Sequence, residues 1–186
     1  MYTPVPNINC DSLAIAMKAE LGFQFTSPIR CVGGKAKQVR YLTTLMPDKI
    51  SHFYEPFGGG LSCTFFLIHT GRVKASNCHV GDLHQPQVNF FKVLQDEYEQ
   101  LTFALLESRL WHGNGTRELF NQAVEQINEP DSPLLQAWGL YVFNRLGMLG
   151  IRKYAPGSYA KSITQYGGGL CQQPVLRVPA YGALIQ

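Results

Sequence analysis

The sequence predicts an α/β fold: a partial, mainly parallel sheet that carries a large helical insertion. Three observations predict it. A strand, a glycine turn, a helix and a second strand are written in that order between Ser51 and Asp82. Beyond Asp82 the pattern changes: Gln87 to Leu94 is apolar with mixed spacing, and helical spacing follows from Leu101 with breaks as far as Phe143. From Gly147 onward glycine, proline and tyrosine dominate, and loops with short strands are expected there.

The first elements have clear boundaries. Asp11-Ser12 caps a predicted helix over Leu13 to Leu21, closed by Gly22. Ser27 to Lys35 is a turn segment, followed by a helix over Ala36 to Leu45 that Pro47 stops. Gly33-Gly34 at that helix start, followed by Lys35, is either an anion or carboxylate site or a plain turn. Next comes the stretch around which the chain is organised, Phe53-Tyr54-Glu55-Pro56-Phe57-Gly58-Gly59-Gly60-Leu61. Ser51 to Tyr54 ends a strand, Leu61 to His69 is a compact apolar helix, and Arg72 to Val80 is a second strand ending at Asp82. Three glycines at a strand-to-helix junction admit a ligand to the backbone, and the helix behind them leaves N–H groups for it. An acid roughly 20 residues beyond such a turn is placed for ribose hydroxyls. Two readings stand: a nucleotide cofactor site, or a tight turn with Asp82 capping the next helix.

The helical insertion runs from about Gln85 to Gly147. Val88, Phe90, Phe91, Val93 and Leu94 begin it, and Leu101, Ala104 and Leu105 continue it at helical spacing. Gly113-Asn114-Gly115 breaks the pattern. Thr116 then caps a helix with Phe120, Val124 and Ile127 on one side. Glu129-Pro130-Asp131-Ser132-Pro133 breaks it again before an apolar helix over Leu134 to Phe143. Residues 1–84 form the first part and 85–186 the second, packed as one unit.

Composition sets the class. With 186 residues, 45% hydrophobic and 16% charged, the chain suits one globular domain with a real core. No apolar run approaches the ~20 residues of a membrane span, and Met1 to Cys10 lacks a signal-peptide pattern. The five cysteines form no Cys-x-x-Cys pair and the five histidines show no ligand spacing, so no metal site is expected. A reduced, cytoplasmic compartment is expected. No Asp or Glu follows Asp131, while Arg145, Arg152, Lys153, Lys161 and Arg177 alternate with Tyr154, Tyr159 and Tyr166. Basic residues among aromatics suit a phosphate backbone and exposed bases, the alternative being a solvated loop face.

Taken together these segments resemble the N6-adenine-specific DNA methyltransferases of the DNA adenine methylase type. Pro28-Ile29-Arg30-Cys31-Val32-Gly33-Gly34-Lys35 is similar to that family's opening motif, and Tyr54 to Gly60 to its S-adenosylmethionine motif. Asp82-Leu83-His84 with Val88 to Val93 is similar to the acidic strand end and its following helix. Phe143 to Lys153 is similar to the segment that carries DNA contacts. The resemblance implies a partial Rossmann-like sheet, S-adenosylmethionine as cofactor and double-stranded DNA as partner, with a restriction-modification or phage-related role. It implies cofactor contacts at Arg30, Gly34, Lys35, Glu55, Pro56, Phe57, Gly58, Gly59, Gly60 and Asp82. It implies DNA contacts at Asn144, Arg145, Met148, Leu149, Arg152, Lys153 and Lys161.

The sequence departs from the family at Arg30 and Cys31, where Lys and Trp are usual, and at Leu61, where a small residue is frequent. Met148 and Leu149 stand where some members use a Tyr-Asn pair, and Lys153 where an Arg reads guanine. The largest departure is the family's catalytic Asp-Pro-Pro-Tyr, which these residues lack. The nearest text is Val178-Pro179-Ala180-Tyr181, so no catalytic residue is assigned. The expectation is a truncated or split enzyme, with a second chain supplying the missing motif. The alternative is a non-catalytic cofactor- or DNA-binding remnant. A nicotinamide oxidoreductase ranks last because Gly-x-Gly-x-x-Gly is absent.

Overall fold

The computed structural model describes residues 27–31, 33–108, 117–128, 130–147 and 177–186. The elements in order are α1 (Val39–Thr44), β1 (Phe53–Glu55), α2 (Ser62–His69), a 3-10 turn (Ala75–Asn77), β2 (Cys78–Val80), α3 (Gln85–Asp96), α4 (Tyr98–Glu107), α5 (Arg117–Asn128), α6 (Pro133–Leu146) and α7 (Arg177–Ile185). Helices dominate, and the described sheet has two strands. β1 and β2 pair in parallel, Phe53 opposite Cys78, Tyr54 opposite His79 and Glu55 opposite Val80. A parallel pair requires a crossover, and α2 supplies it. The βαβ order expected between Ser51 and Asp82 is therefore present, and the helix-dominated arrangement with its small parallel sheet is compatible with an α/β fold. The expected helix over Leu13 to Leu21 lies outside the described residues.

Both early elements are shorter than the sequence predicts. The amides of Gln38 and Val39 both donate to the Lys35 carbonyl, so 36–38 form a turn and the helix starts at Val39. Only Cys78 to Val80 of the expected second strand is paired as strand. Its beginning is held elsewhere, because the Arg72 guanidinium donates to the carbonyls of Thr43, Met46 and Pro47 at the end of α1. There it meets the negative end of the helix dipole and satisfies carbonyls that have no helical partner. The Arg72 carbonyl accepts from Ile50, which ties the approach to β1 to the same point.

The core lies mostly in the helical part. α6 is buried on every side from Gln136 to Leu146, as expected of a central helix wrapped by others. Ser132 caps it by accepting from the Leu135 amide at 3.1 Å, with Pro133 in the first turn. α5 lies close on α6 because position 139 is glycine: a Cβ there would meet the Ala123 carbonyl oxygen at 2.8 Å. One apolar cluster runs from Ile29, Leu61 and Phe65 through Phe90, Leu101, Ile127 and Leu140 to Tyr181, so the glycine-turn helix and the insertion share a core.

The expectation of loops and short strands beyond Gly147 is corrected at the C-terminal end. Arg177 to Ile185 is a helix. Pro179 is compatible with it because it stands in the first turn, where an N–H has no helical partner. Gly182 lets α7 settle on Tyr98 of α4, where a Cβ would come within 2.2 Å of the ring. No helix among the described residues is long and apolar enough to cross a membrane.

Candidate functional site

The glycine turn joins β1 to α2 and is clamped to the segment after β2. The Gly58 amide donates to the Gly81 carbonyl at 2.7 Å, and the Gly81 amide returns a bond to the Glu55 carbonyl at 3.1 Å. Gly59 has φ +53, which a glycine adopts without the Cβ penalty. Its amide donates to Asp82 Oδ2 at 2.9 Å, and its carbonyl accepts from Gln87 Nε2. Asp82 Oδ1 accepts from the His84 amide at 2.9 Å. Asp82 thus braces the turn from the end of the strand, and through the His84 amide it reaches the residue before α3 without capping that helix. Leu61 departs from the small residue usual at its place and adopts the left-handed conformation at φ 54. That strain, about 1–2 kcal/mol, is opposed by burial of its side chain at 5% exposure.

The N-terminus of α2 is not left open as expected. Glu55 Oε2 accepts from the Thr64 amide at 3.1 Å and from the Thr64 hydroxyl at 2.5 Å. The carboxylate of the last β1 residue therefore serves as the helix cap, a role the Leu61 side chain cannot fill. Burial raises the Glu55 carboxyl above the ordinary glutamate range, and the bonds from Thr64 pull it partly back. Burial likewise raises the Cys63 thiol, Glu55 adds to the rise, and the charge of Lys35 opposes it. Lys35 is therefore on the side of the site where α2 begins.

The sequence-predicted cofactor residues fall into groups. Gly58, Gly59, Gly60, Glu55 and Asp82 come together at the turn. Pro56 and Phe57 project outward from it, Phe57 at 91% exposure. Gly34 donates to the Cys31 carbonyl at 3.0 Å, so the Gly33-Gly34 pair closes its own turn, and Arg30, Gly34 and Lys35 are exposed. Beside the glycine turn opens a cavity of about 420 Å³, bordered by Gly59, Asp82, Thr64, Phe65, Val88 and Phe91. Thr64 and Gln87, which hold the turn through Glu55 and Gly59, were not singled out in the sequence. Only their positions in the first turns of α2 and α3 could have drawn attention to them.

Of the predicted DNA contacts, Met148, Leu149, Arg152, Lys153 and Lys161 lie outside the described residues. Asn144 and Arg145 do not face solvent. They are 0% and 8% exposed and bond to the backbone of Arg30 and Pro28. Tyr181, the aromatic of the nearest text to the missing motif, is also internal. It is 1% exposed, edge-on to Phe65 at 4.8 Å, and its hydroxyl accepts from the Ser27 amide at 3.2 Å. Among the described residues no group of three or more potential metal ligands is present.

Residues 32–165, more than half of the chain, match the model of the D12 class N6 adenine-specific DNA methyltransferases. A stretch of 69 residues is 33% identical to the Type II methyltransferase M1.LlaDCHI of Lactococcus lactis subsp. cremoris. That stretch is 37% of this chain and spans only 22% of the relative. The motif order, the βαβ unit with its acid-braced glycine turn and the family match agree: the chain belongs to the D12 class of N6 adenine-specific DNA methyltransferases.

Proposed function

We propose that this chain is the cofactor-binding and DNA-recognition part of a site-specific DNA adenine N6-methyltransferase that uses S-adenosylmethionine, its short sheet being part of a Rossmann-like one. These 186 residues lack Asp-Pro-Pro-Tyr, and catalysis requires that motif to be supplied to them, in a split enzyme by a second chain. The observation that carries the reading is the bond from the Gly59 amide to Asp82 at the end of a parallel βαβ unit, in a chain of this family. The residues fit the cofactor. A Cβ on Gly59 would meet nothing within 4 Å, so the turn leaves open space beside its backbone. Asp82 is fixed by two amides and keeps lone pairs for ribose hydroxyls. Exposed Lys35 offers a cation to a carboxylate. S-adenosylmethionine would supply a methyl group activated by positively charged sulfur. What the chain contributes is placement: Asp82 and the turn orient the donor, and basic residues beyond Gly147, among them Arg152, Lys153 and Lys161, hold phosphates. Adenine must leave the stack for its N6 to be reached, and Met148 or Leu149 acts as an apolar wedge at that base.

Calorimetry with S-adenosylmethionine tests the site. Asp82→Ala is expected to weaken binding by about 1.5–3 kcal/mol, the range for a hydrogen bond to a charged group. Equal affinity for both proteins would refute it. A second reading, the non-catalytic remnant, is favoured by one observation. Tyr181 is sealed in the core, and no carboxylate follows Asp131 in these 186 residues. Tritiated methyl incorporation into unmethylated duplex separates the two. We expect no transfer by the 186-residue chain alone and turnover once a partner bearing Asp-Pro-Pro-Tyr is added. Silence with such a partner leaves the remnant.

A further inference from the structure

The C-terminal end of α6 holds the segment that opens the cofactor motif. Asn144 Oδ1 accepts from the Arg30 amide at 2.8 Å, and Nδ2 donates to the Arg30 carbonyl at 2.7 Å. One side chain thus satisfies both backbone groups of a residue 114 positions away. Arg145 donates to the Pro28 carbonyl, and its guanidinium lies 4.9 Å from the Tyr141 ring centroid. Among the described residues no carboxylate pairs with it, and its Nε has no hydrogen-bond partner. A buried cation with no acid beside it is costly, so its retention calls for a positional reason.

The segment so held touches the glycine turn. Ser27 Oγ accepts from the Ile29 amide at 3.2 Å and donates to the Ile29 carbonyl at 2.6 Å, folding 27–29 into a tight bend. That hydroxyl occupies the only side of Gly60 where a side chain would go: a Cβ there would come within 2.4 Å of it. The contacts therefore run from Asn144 and Arg145, through 27–30, to Gly60. In sequence the same segment leads on to Lys35.

We propose that Asn144 and Arg145 are positioning residues for the cofactor site and not DNA contacts. They seat residues 27–30 against Gly60 and thereby fix the glycine turn. The proposal rests on the cofactor reading above for its ligand, but the seating can be read without one.

The test uses the full 186-residue chain as wild type, Asn144→Ala, Arg145→Ala and Arg145→Lys. Hydrogen exchange at the Gly58 and Gly59 amides is expected to accelerate in both alanine variants relative to amides of α4 and α5. It should return toward wild type in Arg145→Lys, which still donates to the Pro28 carbonyl. S-adenosylmethionine affinity should fall about tenfold or more in the alanine variants, because a ligand site loosened by part of an ångström forfeits its pre-organisation. Duplex affinity at low salt, and its salt slope, should stay as in wild type. Unchanged exchange at Gly58 and Gly59 overturns the proposal whether or not the cofactor binds. Loss of duplex affinity with intact cofactor affinity overturns it in favour of DNA contacts. A wild type that binds no S-adenosylmethionine, with exchange behaving as expected, refutes the cofactor reading and leaves the seating role standing.

Discussion

The glycine turn and helix α6 are held together by different means. Around the turn, between Glu55 and Gln87, order comes from hydrogen bonds: amides 58, 59, 81 and 84 all have named acceptors, while Phe57 and Leu83 stand at 91% and 99% exposure. α6 has the reverse pattern. It is buried from Gln136 to Leu146, and its contacts with α3 and α5 are mainly apolar. The contrast teaches where function is placed. A ligand site needs directed polar groups and open space, which burial cannot supply. The stability that the site forgoes comes from the neighbouring helices through the shared core.

The largest break in this comparison is a cavity beneath α6. Phe90 is 0% exposed and stacks on Tyr141 at 6.0 Å between ring centroids. Phe90→Ala removes the ring and leaves a void among residues fixed by several helices, an expected loss of about 3–5 kcal/mol. Urea denaturation of both proteins measures it. A loss below about 1 kcal/mol would mean that α6 is not the anchor described.

Two glycines sharpen the contrast, because alanine fails at each for a different reason. Gly139→Ala drives a methyl into the Ala123 carbonyl, and backbone cannot yield as a side-chain end can. The expected loss is about 1–3 kcal/mol by overpacking. At Gly59 there is room for the methyl but φ is +53. Gly59→Ala therefore costs about 1–2 kcal/mol through the backbone alone. Pairing each with a compensating truncation separates the mechanisms: Gln126→Gly removes the Cβ that would lie 3.1 Å from the new methyl at 139 and so relieves part of the crowding there, and no truncation rescues Gly59. Rescue at Gly59 would show that its cost is steric.

A smaller effect concerns pH. Burial raises the Glu55 carboxyl, so the folded protein binds that proton more tightly than the unfolded chain does. Its contribution is present in full below the ordinary glutamate pKa and is lost as pH rises through the raised folded value. Glu55→Gln removes this titration, and its amide oxygen still accepts from Thr64. Measured across the weakly acid range, wild type should lose stability relative to the variant as pH rises. Parallel profiles would show that the Thr64 bonds balance burial, and the opposite slope that they outweigh it.

What the sequence made legible follows the same division. The strand, turn, helix and strand between Ser51 and Asp82 were readable because glycine and proline punctuate them, and the parallel pairing follows from the crossover. Helical periodicity located α4 to α6 in the described residues, while the apolar residues of α3 are mixed in spacing and the break at Glu97 carries no glycine or proline to announce it. α7 was misread because Pro179 and Gly182 look like loop residues, while one stands in a first turn and the other is a packing notch against Tyr98. The burial of Asn144 and Arg145 was not legible for a related reason. A basic residue in an acid-free tail reads as surface, and only tertiary contact reveals a carbonyl 117 positions away as its partner. Glu55 was placed in the right turn, but its bond to Thr64 depends on how strand and helix meet, which residue spacing does not encode.

The smallest effect tests the turn from its open side. Leu83 lies next to Asp82, and its side chain is almost wholly in solvent. Phe57, within the turn itself, is nearly as exposed. Removing a side chain that buries nothing on folding forfeits no transfer free energy, so Leu83→Ala and Phe57→Ala should each stay within about 0.5 kcal/mol of wild type. Those stabilities are read in the same urea series as Phe90→Ala. A loss several times larger at either position would mean that the turn is held by apolar packing after all, and its difference from α6 would disappear. Neutral stability, set beside the loss expected at Phe90, would leave both side chains available for contacts made only when a ligand or a second chain meets this face.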